Sequence, residues 1–265
     1  MKIKKSIDLS RLIDTYYGKS KLLDSWIYGE YAVRFIIFES YLVIGKINED
    51  SFSACVDLGT GNPVKEYNGE CFESSTKESD INECLFRIET YCRSVLPDKF
   101  LIAKGWKKSK IKIPLREKSW NKWMKEHWRY VESRKNNYVK SNNKTGSVRD
   151  WADRFIRATE DYFGNRVGKI EITEIEEHSE DEGMTLRDNG FSLRFRIYDY
   201  YDMIGSGGFG LGWSILKGTY SIPLPTSQVW FDIADFETFF KDMEEEIELR
   251  IQDEYLRTKG WLKES

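Results

Sequence analysis

One stretch of the sequence has the spacing of a phosphate-binding loop. Residues 205–210 (GSGGFG) match the pattern G-x-G-x-x-G, which binds dinucleotides when a helix follows and turns its N-terminus towards the phosphates. Here the next residues, 211–216 (LGWSIL), have the composition of a strand. We therefore predict that these glycines form a hairpin or a bulge and bind no nucleotide.

The cysteines and histidines form no recognisable reactive group. The four cysteines, which contain no C-x-x-C pair, are Cys55, Cys71, Cys84 and Cys92. Because the start of the chain lacks a secretory apolar segment, we expect reduced cysteines and no zinc site. His178 lies in an acidic run (EIEEHSEDE) that offers a metal only flexible carboxylates. We predict no catalytic residue, no metal and no cofactor, so the chain is not expected to be an enzyme.

A basic stretch divides the chain. Residues 107–150 hold fourteen Lys and Arg against four Asp and Glu, a net charge of +10, whereas residues 151–265 hold 13 against 24, a net charge of −11. A helix predicted at about 117–135 would gather four basic side chains in one narrow arc, opposite its tryptophans. This basic stripe consists of Lys118, Lys122, Lys125 and Arg129. It is either the solvated face of a connector or a surface that meets an acidic partner.

Segments on the two sides of the basic stretch resemble each other. Three of them recur in the same order: Tyr16–Gly18 with Tyr162–Gly164, Ala32–Gly45 with Ser192–Gly205, and Lys104–Trp106 with Lys259–Trp261. Repeats in a conserved order predict an internal duplication.

Each copy is predicted to contain the same elements. A helix comes first, at about 9–17 and at about 148–163, the second one capped by Ser147 and Asp150. A strand over the Arg-Phe segment and one or two more strands follow, and an amphipathic helix closes each copy, in the second one up to Tyr255. In the first copy Pro97 should end or bend that helix.

The fold class predicted from this order is α+β. Two homologous lobes, each an antiparallel β-meander backed by a C-terminal helix, are joined by the basic amphipathic helix. The predicted domains are a first lobe at 1–106, a basic Trp-rich helical connector with a flexible linker at 107–147, and an acidic second lobe at 148–265.

Retained polar residues within the repeat are predicted to be features of the fold. Arg34 matches Arg194, and Glu39 matches Asp199. Because Arg34 and Glu39 stand five residues apart, on a single strand they would face opposite sides and could not pair.

The repeated strand differs between the copies on its outer face. The first lobe has Ile36 and Phe38 where the second has Arg196 and Tyr198. We predict that Ile36 and Phe38 form an apolar face that another part of the chain or a partner covers, while the face of the second lobe is wet.

Composition excludes some classes of protein. A chain of 265 residues with 40% hydrophobic and 15% aromatic residues can bury real cores. No apolar run approaches the ~20 residues that a membrane span needs. We expect a cytoplasmic protein that does not enter membranes.

Three hypotheses about function follow. The first is a non-catalytic protein-binding protein that inhibits by occluding another protein, as toxin-immunity and phage counter-defence proteins do. The duplication, the charge polarity and the many tryptophans and tyrosines favour this hypothesis. The second is a nucleic-acid-binding protein that uses the basic helix at 117–135. The third is an enzyme with a site in a cleft between the lobes. The identity of the partner and the oligomeric state do not follow from the sequence.

Overall fold

The protein has an α+β fold, as the sequence predicts. The computed structural model describes residues 2–57, 69–108, 143–178, 189–217 and 220–262. Six helices lie in these ranges: α1 (Ser6–Lys21), α2 (Glu78–Val95), α3 (Asp98–Ala103), α4 (Val148–Phe163), α5 (Phe236–Arg250) and α6 (Asp253–Thr258). None of these six is long and apolar enough to cross a membrane.

The strands form two five-stranded antiparallel sheets. The first sheet consists of β1 (Leu22–Ile27), β2 (Ala32–Ile37), β3 (Tyr41–Ile47), β4 (Ser51–Asp57) and β5 (Cys71–Ser75). The second consists of β6 (Glu171–Glu176), β7 (Gly190–Ile197), β8 (Tyr201–Gly207), β9 (Leu211–Lys217) and β10 (Tyr220–Pro223). Since neighbours in the chain are neighbours in the sheet, each sheet is a meander.

The chain divides into two compact units. The first unit comprises Met1–Leu96 and Lys217–Ile222, and the second comprises Pro97–Leu216 and Pro223–Ser265. The predicted basic helix at 117–135 lies outside the described residues. The three predicted domain ranges stay predictions.

The core of the first unit forms where two helices cover one face of its sheet. Leu9, Ile13 and Tyr17 recur every fourth residue of α1 and are at most 2% exposed, which is the stripe of a helix packed on a sheet. α1 contacts β1 and β2, and α2 contacts β5. Phe35, on the covered face of β2, lies 5.8 Å from the Tyr17 ring and is fully buried.

The core of the second unit is built around one tryptophan. Trp213 on β9 is 1% exposed. Four phenylalanine rings lie between 4.7 and 5.9 Å from it, those of Phe163, Phe195, Phe239 and Phe240. Edge-to-face and tilted aromatic contacts at these distances add to the hydrophobic stabilisation.

Two local predictions for the second unit are confirmed. Ser147 and Asp150 form a reciprocal capping box at the start of α4, each side chain accepting from the other residue's backbone N–H. The glycine run ends β8 and connects it to β9 in an antiparallel hairpin. No helix follows it, so the backbone geometry of a dinucleotide loop does not form there.

The interpretation that Arg34 and Glu39 lie on a single strand is wrong, because β2 ends at Ile37. A turn through Phe38 and Glu39 joins β2 to β3, and both residues have positive φ, 55° and 48°. Two successive left-handed residues are what a type I′ hairpin requires. Glu39 therefore lies in a turn, and the argument that it faces away from Arg34 on one strand fails.

The same turn occurs between β7 and β8. Tyr198 and Asp199 have φ of 55° and 48°, the values found in the first sheet. Each such residue costs roughly 1–3 kcal/mol of strain. Phe38 and Tyr198 are both fully buried, so burial of an aromatic ring offsets that strain in both turns.

The closing helix of the second unit is shorter than predicted. α2 ends at Val95, before Pro97, as expected for the residues preceding a proline. α5 ends at Arg250 although no proline follows. Ile251 is extended, with φ −105° and ψ 138°, and fully buried. The helix therefore ends where Ile251 packs into the core. No proline or glycine at this position indicates the helix end in the sequence.

The repeated Lys-Gly-Trp segment caps a short helix in both places. At the end of α3, Gly105 N–H donates to Ile102 and Trp106 N–H donates to Leu101. These two hydrogen bonds define a Schellman motif, in which the residue after the cap is left-handed and usually glycine. Gly105 has φ 73°.

The cap repeats at the end of α6. Gly260 has φ 68°, its N–H donates to Arg257, and Trp261 N–H donates to Leu256. Trp106 and Trp261 are half-buried rather than buried in the core. Within the described part of the chain, Trp106 contacts the Phe100 ring at 5.7 Å and Trp261 contacts the Tyr198 ring at 5.5 Å.

The expectation that all cysteines are reduced is wrong for two of them. Cys55 on β4 and Cys71 on β5 are directly opposite in the sheet and form a disulfide. The separation of 16 residues along the chain does not indicate that the two cysteines are opposite each other in the sheet. Cys84 and Cys92 are buried free thiols, as expected of small core residues.

Gly260→Ala should destabilise the protein through its backbone alone. Nothing lies within 4 Å of a Cβ added at Gly260, so the expected loss of about 1–2 kcal/mol comes from the left-handed φ. Gly260→Asn is the matched control and should lose less, because asparagine tolerates this conformation. Urea unfolding measures both; equal losses for the two variants would contradict the assignment.

Candidate functional site

The predicted basic stripe belongs to a part of the chain that the structure does not describe. Lys118, Lys122, Lys125 and Arg129 all lie in 109–142, outside the described residues. The proposed contact of this stripe with nucleic acid or an acidic protein stays a prediction.

The predicted apolar face of the first unit is buried, but its two residues do not share it. Ile36 is fully buried on the side of the sheet away from the helices, together with Leu42 and Ile44, at 5% and 9% exposure. Phe38 lies in the turn, where the Arg93 guanidinium of α2 is 5.0 Å from its ring. Phe38 therefore packs on the helix side. What covers Ile36 stays a prediction.

The corresponding face of the second unit is only partly wet. Arg196 is exposed and forms an ion pair with Asp202 at 3.3 Å, as a wet face allows. Tyr198 is fully buried, which contradicts the prediction for that residue. Its burial follows from the turn, which directs the ring away from the strand face.

A charged network lies beside the turn of the second unit. Arg166 and Glu244 form an ion pair, and Tyr162 donates to the same carboxylate at 2.9 Å. Tyr198 accepts from Arg166 at 3.3 Å and donates to Glu248 at 2.7 Å. The backbone completes the arrangement, because Tyr198 N–H donates to the Arg166 carbonyl at 2.6 Å.

A network in the same position stabilises the turn of the first unit. Phe38 N–H donates to the Lys21 carbonyl at 2.9 Å. The Lys21 ammonium contacts both oxygens of Glu89 at 2.8 and 2.9 Å, and Arg93 donates to Glu89 at 2.9 Å. Here two cations surround one carboxylate, whereas in the second unit two carboxylates surround one cation.

This difference affects the titration of the second network. Burial raises the pKa of Tyr198, and its hydrogen bond to Glu248 raises it further. Burial also raises the pKa of Glu248, to which the nearby charge of Glu244 contributes. Perturbed titration in a cluster is a feature of active sites and of structural ion-pair networks alike. Because every one of these groups contacts its own unit, the network is best explained as support for the strained turn.

A different surface presents large side chains to solvent. The hairpin between β1 and β2 exposes Ile27, Tyr28 and Tyr31 by 46%, 53% and 51%. The Arg34 guanidinium stacks on the Tyr28 ring at 3.7 Å from its centroid. We call Tyr28, Tyr31 and Arg34 the tyrosine patch.

The fold fixes the backbone of this patch. Gly29 provides a left-handed φ of 82° in the turn, and Tyr28 N–H donates to Ala32 at 2.8 Å. The Tyr31 carbonyl accepts from Ile47 of β3 at 2.7 Å, and the Glu30 carbonyl accepts from Ser6 at the start of α1 at 3.0 Å. The two tyrosine rings thus lie on a turn whose backbone is hydrogen-bonded to β3 and to the start of α1.

Sequence reasoning missed the tyrosine patch. Its signal is the segment Tyr28–Tyr31 (YGEY), in which a glycine turn is flanked by two aromatic residues. The pattern of polar and apolar residues along β1 does not predict an exposed aromatic surface, because neither face of that strand is polar throughout.

The chain matches no protein-family model, no curated protein and no solved structure.

Glu248→Gln should change how stability depends on pH. The folded pKa of Glu248 is raised, so its contribution to stability is complete below the unfolded pKa and is lost as pH rises through the folded value. The glutamine keeps an acceptor for Tyr198. The wild-type protein should therefore lose stability relative to Glu248→Gln as pH rises above the ordinary pKa of glutamate, about 4.3.

Glu171→Gln is the control with the opposite sign. The Lys169 ammonium lowers the pKa of Glu171, so its contribution is present above the unfolded pKa and is lost as pH falls. Urea unfolding at a series of pH values measures both variants. Parallel pH profiles for wild type and Glu248→Gln would show that Glu248 does not titrate abnormally.

Proposed function

We propose that the protein is a non-catalytic binding protein that acts by occluding a surface of another protein. Toxin-immunity and phage counter-defence proteins act in this manner, and the comparison with them is an analogy. The tyrosine patch supports the proposal.

The composition and rigidity of the patch suit an interface. Tyrosine and arginine are the side chains that most often dominate the binding energy of protein interfaces, at ~2 kcal/mol or more for a central residue. Stacking of Arg34 on Tyr28 holds both side chains before a partner arrives, which reduces the entropy lost on binding.

We also propose that the two predicted lobes, at 1–106 and 148–265, arose by duplication. Each repeated sequence segment coincides with the same left-handed backbone: Gly18 and Gly164 at φ 58° and 56°, the paired turns at Phe38 and Tyr198, and the Schellman glycines Gly105 and Gly260. Independent sequences have no reason to place three such features in the same order. A duplicated scaffold gives two similar supports on which surfaces can diverge.

Loss of the tyrosine patch should abolish capture of the partner. Tagged wild-type chain, Tyr28→Ala/Tyr31→Ala and Phe86→Ala would be used for affinity purification from cells that naturally express the protein, followed by quantitative mass spectrometry. Phe86 is 60% exposed on α2 and serves as the matched aromatic control. The proposal expects a protein that wild type and Phe86→Ala retain and that the double variant loses.

Folding of the double variant must be established separately. Both tyrosines are about half exposed, and the cation–π contact is worth ~0.5–1 kcal/mol at such a site, so the melting temperature should fall only slightly. A folded double variant that captures the same proteins as wild type would sink the proposal.

An oligonucleotide-binding titration distinguishes the nucleic-acid hypothesis from the protein-binding proposal. Changing Lys118, Lys122, Lys125 and Arg129 to Gln should reduce the log–log salt slope of oligonucleotide binding by about 0.7–0.9 per lost phosphate contact, if the basic stripe binds nucleic acid. Fluorescence anisotropy with single- and double-stranded oligonucleotides at two salt concentrations measures the slope. We expect weak, salt-labile binding by the unmutated chain. Sub-micromolar affinity at physiological salt, abolished by the four substitutions, would make nucleic acid the preferred ligand.

A further inference from the structure

On the face directed away from its buried residues, the second sheet carries a row of small residues, Ser192, Ser206 and Gly212, that begins beside Glu174. Successive register pairs join Glu174 to Ser192, Ser192 to Ser206, and Ser206 to Gly212, across β6, β7, β8 and β9. Their neighbours along each of β7, β8 and β9 are buried, so this row lies on the opposite face from the core.

Two adjacent cavities open along this row. The first, of about 260 Å³, is lined by β9, by the end of β10 and by the segment that follows it, including Gly212, Ser214, Pro223, Leu224 and Val229. The second, of about 200 Å³, is lined by β6, β7 and β8, including Glu174, Glu176, Asn189 and Ser192. Ser206 and Gly210 line both cavities. We call the two together the sheet trough.

The glycines of this region fall into two groups. A Cβ on Gly207 would lie 2.4 Å from the Phe191 ring, and one on Gly208 would lie 2.6 Å from the Asn189 carbonyl, so the fold itself requires these two glycines. Gly210 and Gly212 have neither a positive φ nor any atom within 4 Å of an added Cβ.

The absence of a side chain at Gly212 is therefore not explained by packing. Glycine in a strand weakens the strand, and it often marks a place where a ligand or another backbone approaches closely. At Gly212 it keeps the floor of the first cavity at the level of the backbone.

The two ends of the trough differ in chemistry. At one end Glu174 and Glu176 are exposed, and neither carboxylate forms an ion pair with any described residue. Glu171, on the same strand, is bonded to Lys169 at 2.9 Å. At the other end Pro223, Leu224 and Val229 offer an apolar wall.

We infer that the sheet trough binds an extended segment of a partner protein that carries one arginine or lysine and one apolar side chain. The cationic group lies beside Glu174 and Glu176, and the apolar side chain enters the cavity over Gly212. This site is separate from the tyrosine patch and does not depend on it.

The dimensions fit such a segment. Glu174 and Gly212 are three strands apart, or about 14 Å at the usual spacing between strands. Four residues of extended chain span about the same distance, and residues four apart point to the same side. The net charge of −11 on residues 151–265 further favours a basic segment over an acidic one.

Two synthetic peptides test the cationic end. One is a seven-residue peptide with valine and arginine four positions apart, and the other has citrulline, a neutral isostere, in place of arginine. Each is titrated into the full ¹⁵N-labelled chain and followed by amide chemical shifts. The arginine peptide should shift the amides of Ser192, Ser206 and Gly212, and the citrulline peptide should bind at least five-fold more weakly.

Three variants test the trough itself. Because nothing lies within 4 Å of a Cβ added at Gly212, Gly212→Val should place its side chain in the first cavity, keep or raise the melting temperature, and weaken binding of the arginine peptide at least ten-fold. Glu174→Gln/Glu176→Gln should remove the preference for arginine over citrulline. Glu237→Gln/Glu254→Gln makes the same change in net charge at exposed positions elsewhere and should leave binding unchanged.

Several results would overturn the inference. These are unchanged amide shifts at millimolar peptide, shifts confined to other parts of the chain, equal affinity for the two peptides, or full binding by a folded Gly212→Val. Loss of partner capture on changing Tyr28 and Tyr31 is a separate readout, so either idea can fail while the other stands.

Discussion

Both sheets depend on a hairpin that turns through bulky residues in the left-handed conformation. Phe38 and Tyr198 occupy positions where asparagine or glycine is usual, with φ of 55° in both. The strain is tolerable because each ring is fully buried and because each backbone N–H is bonded to the residue that ends the preceding helical segment, Lys21 or Arg166. The turn thereby ties the end of α1, or the short segment that follows α4, to the middle of its sheet.

The charges around the two turns differ although the positions of the charged residues correspond. Lys21 and Arg166 occupy equivalent places, and so do Glu89 and Glu244. Arg93 is replaced by Glu248, which puts two carboxylates one turn apart on α5, an arrangement that costs a few tenths of a kcal/mol on an isolated helix. Arg166 lies near both, and the hydroxyl that distinguishes Tyr198 from Phe38 supplies Glu248 with a hydrogen bond. A change of sign at one helix position is thus compensated by one oxygen atom on the turn.

Local chemistry in this chain was predictable from the sequence, and register was not. The capping box at Ser147 and the helix end before Pro97 depend on neighbours within a few residues, and both were predicted. The turn at Phe38 has no glycine, asparagine or proline to mark it, and its reason is burial of a ring by distant residues. The Cys55–Cys71 disulfide depends on which residues of β4 and β5 are opposite, which composition does not encode. The tyrosine patch has a sequence signal, a glycine turn between aromatic residues. An analysis based only on alternating polar and apolar residues does not detect it.

The acidic edge of the second sheet bears on how a partner can bind there. A free edge strand invites pairing by another chain, and proteins suppress this with charged side chains. β6 is the edge strand of its sheet, and it exposes Glu171, Glu174 and Glu176. A partner strand adding to this edge would bring its own side chains against these carboxylates, and a register shift between Ile172 and Glu174 further interrupts the ladder. The face of the sheet has no such obstacle, since its row of serine and glycine leaves the backbone level open. Recognition in the second unit is therefore expected to use side chains lying across the strands rather than main-chain pairing along them.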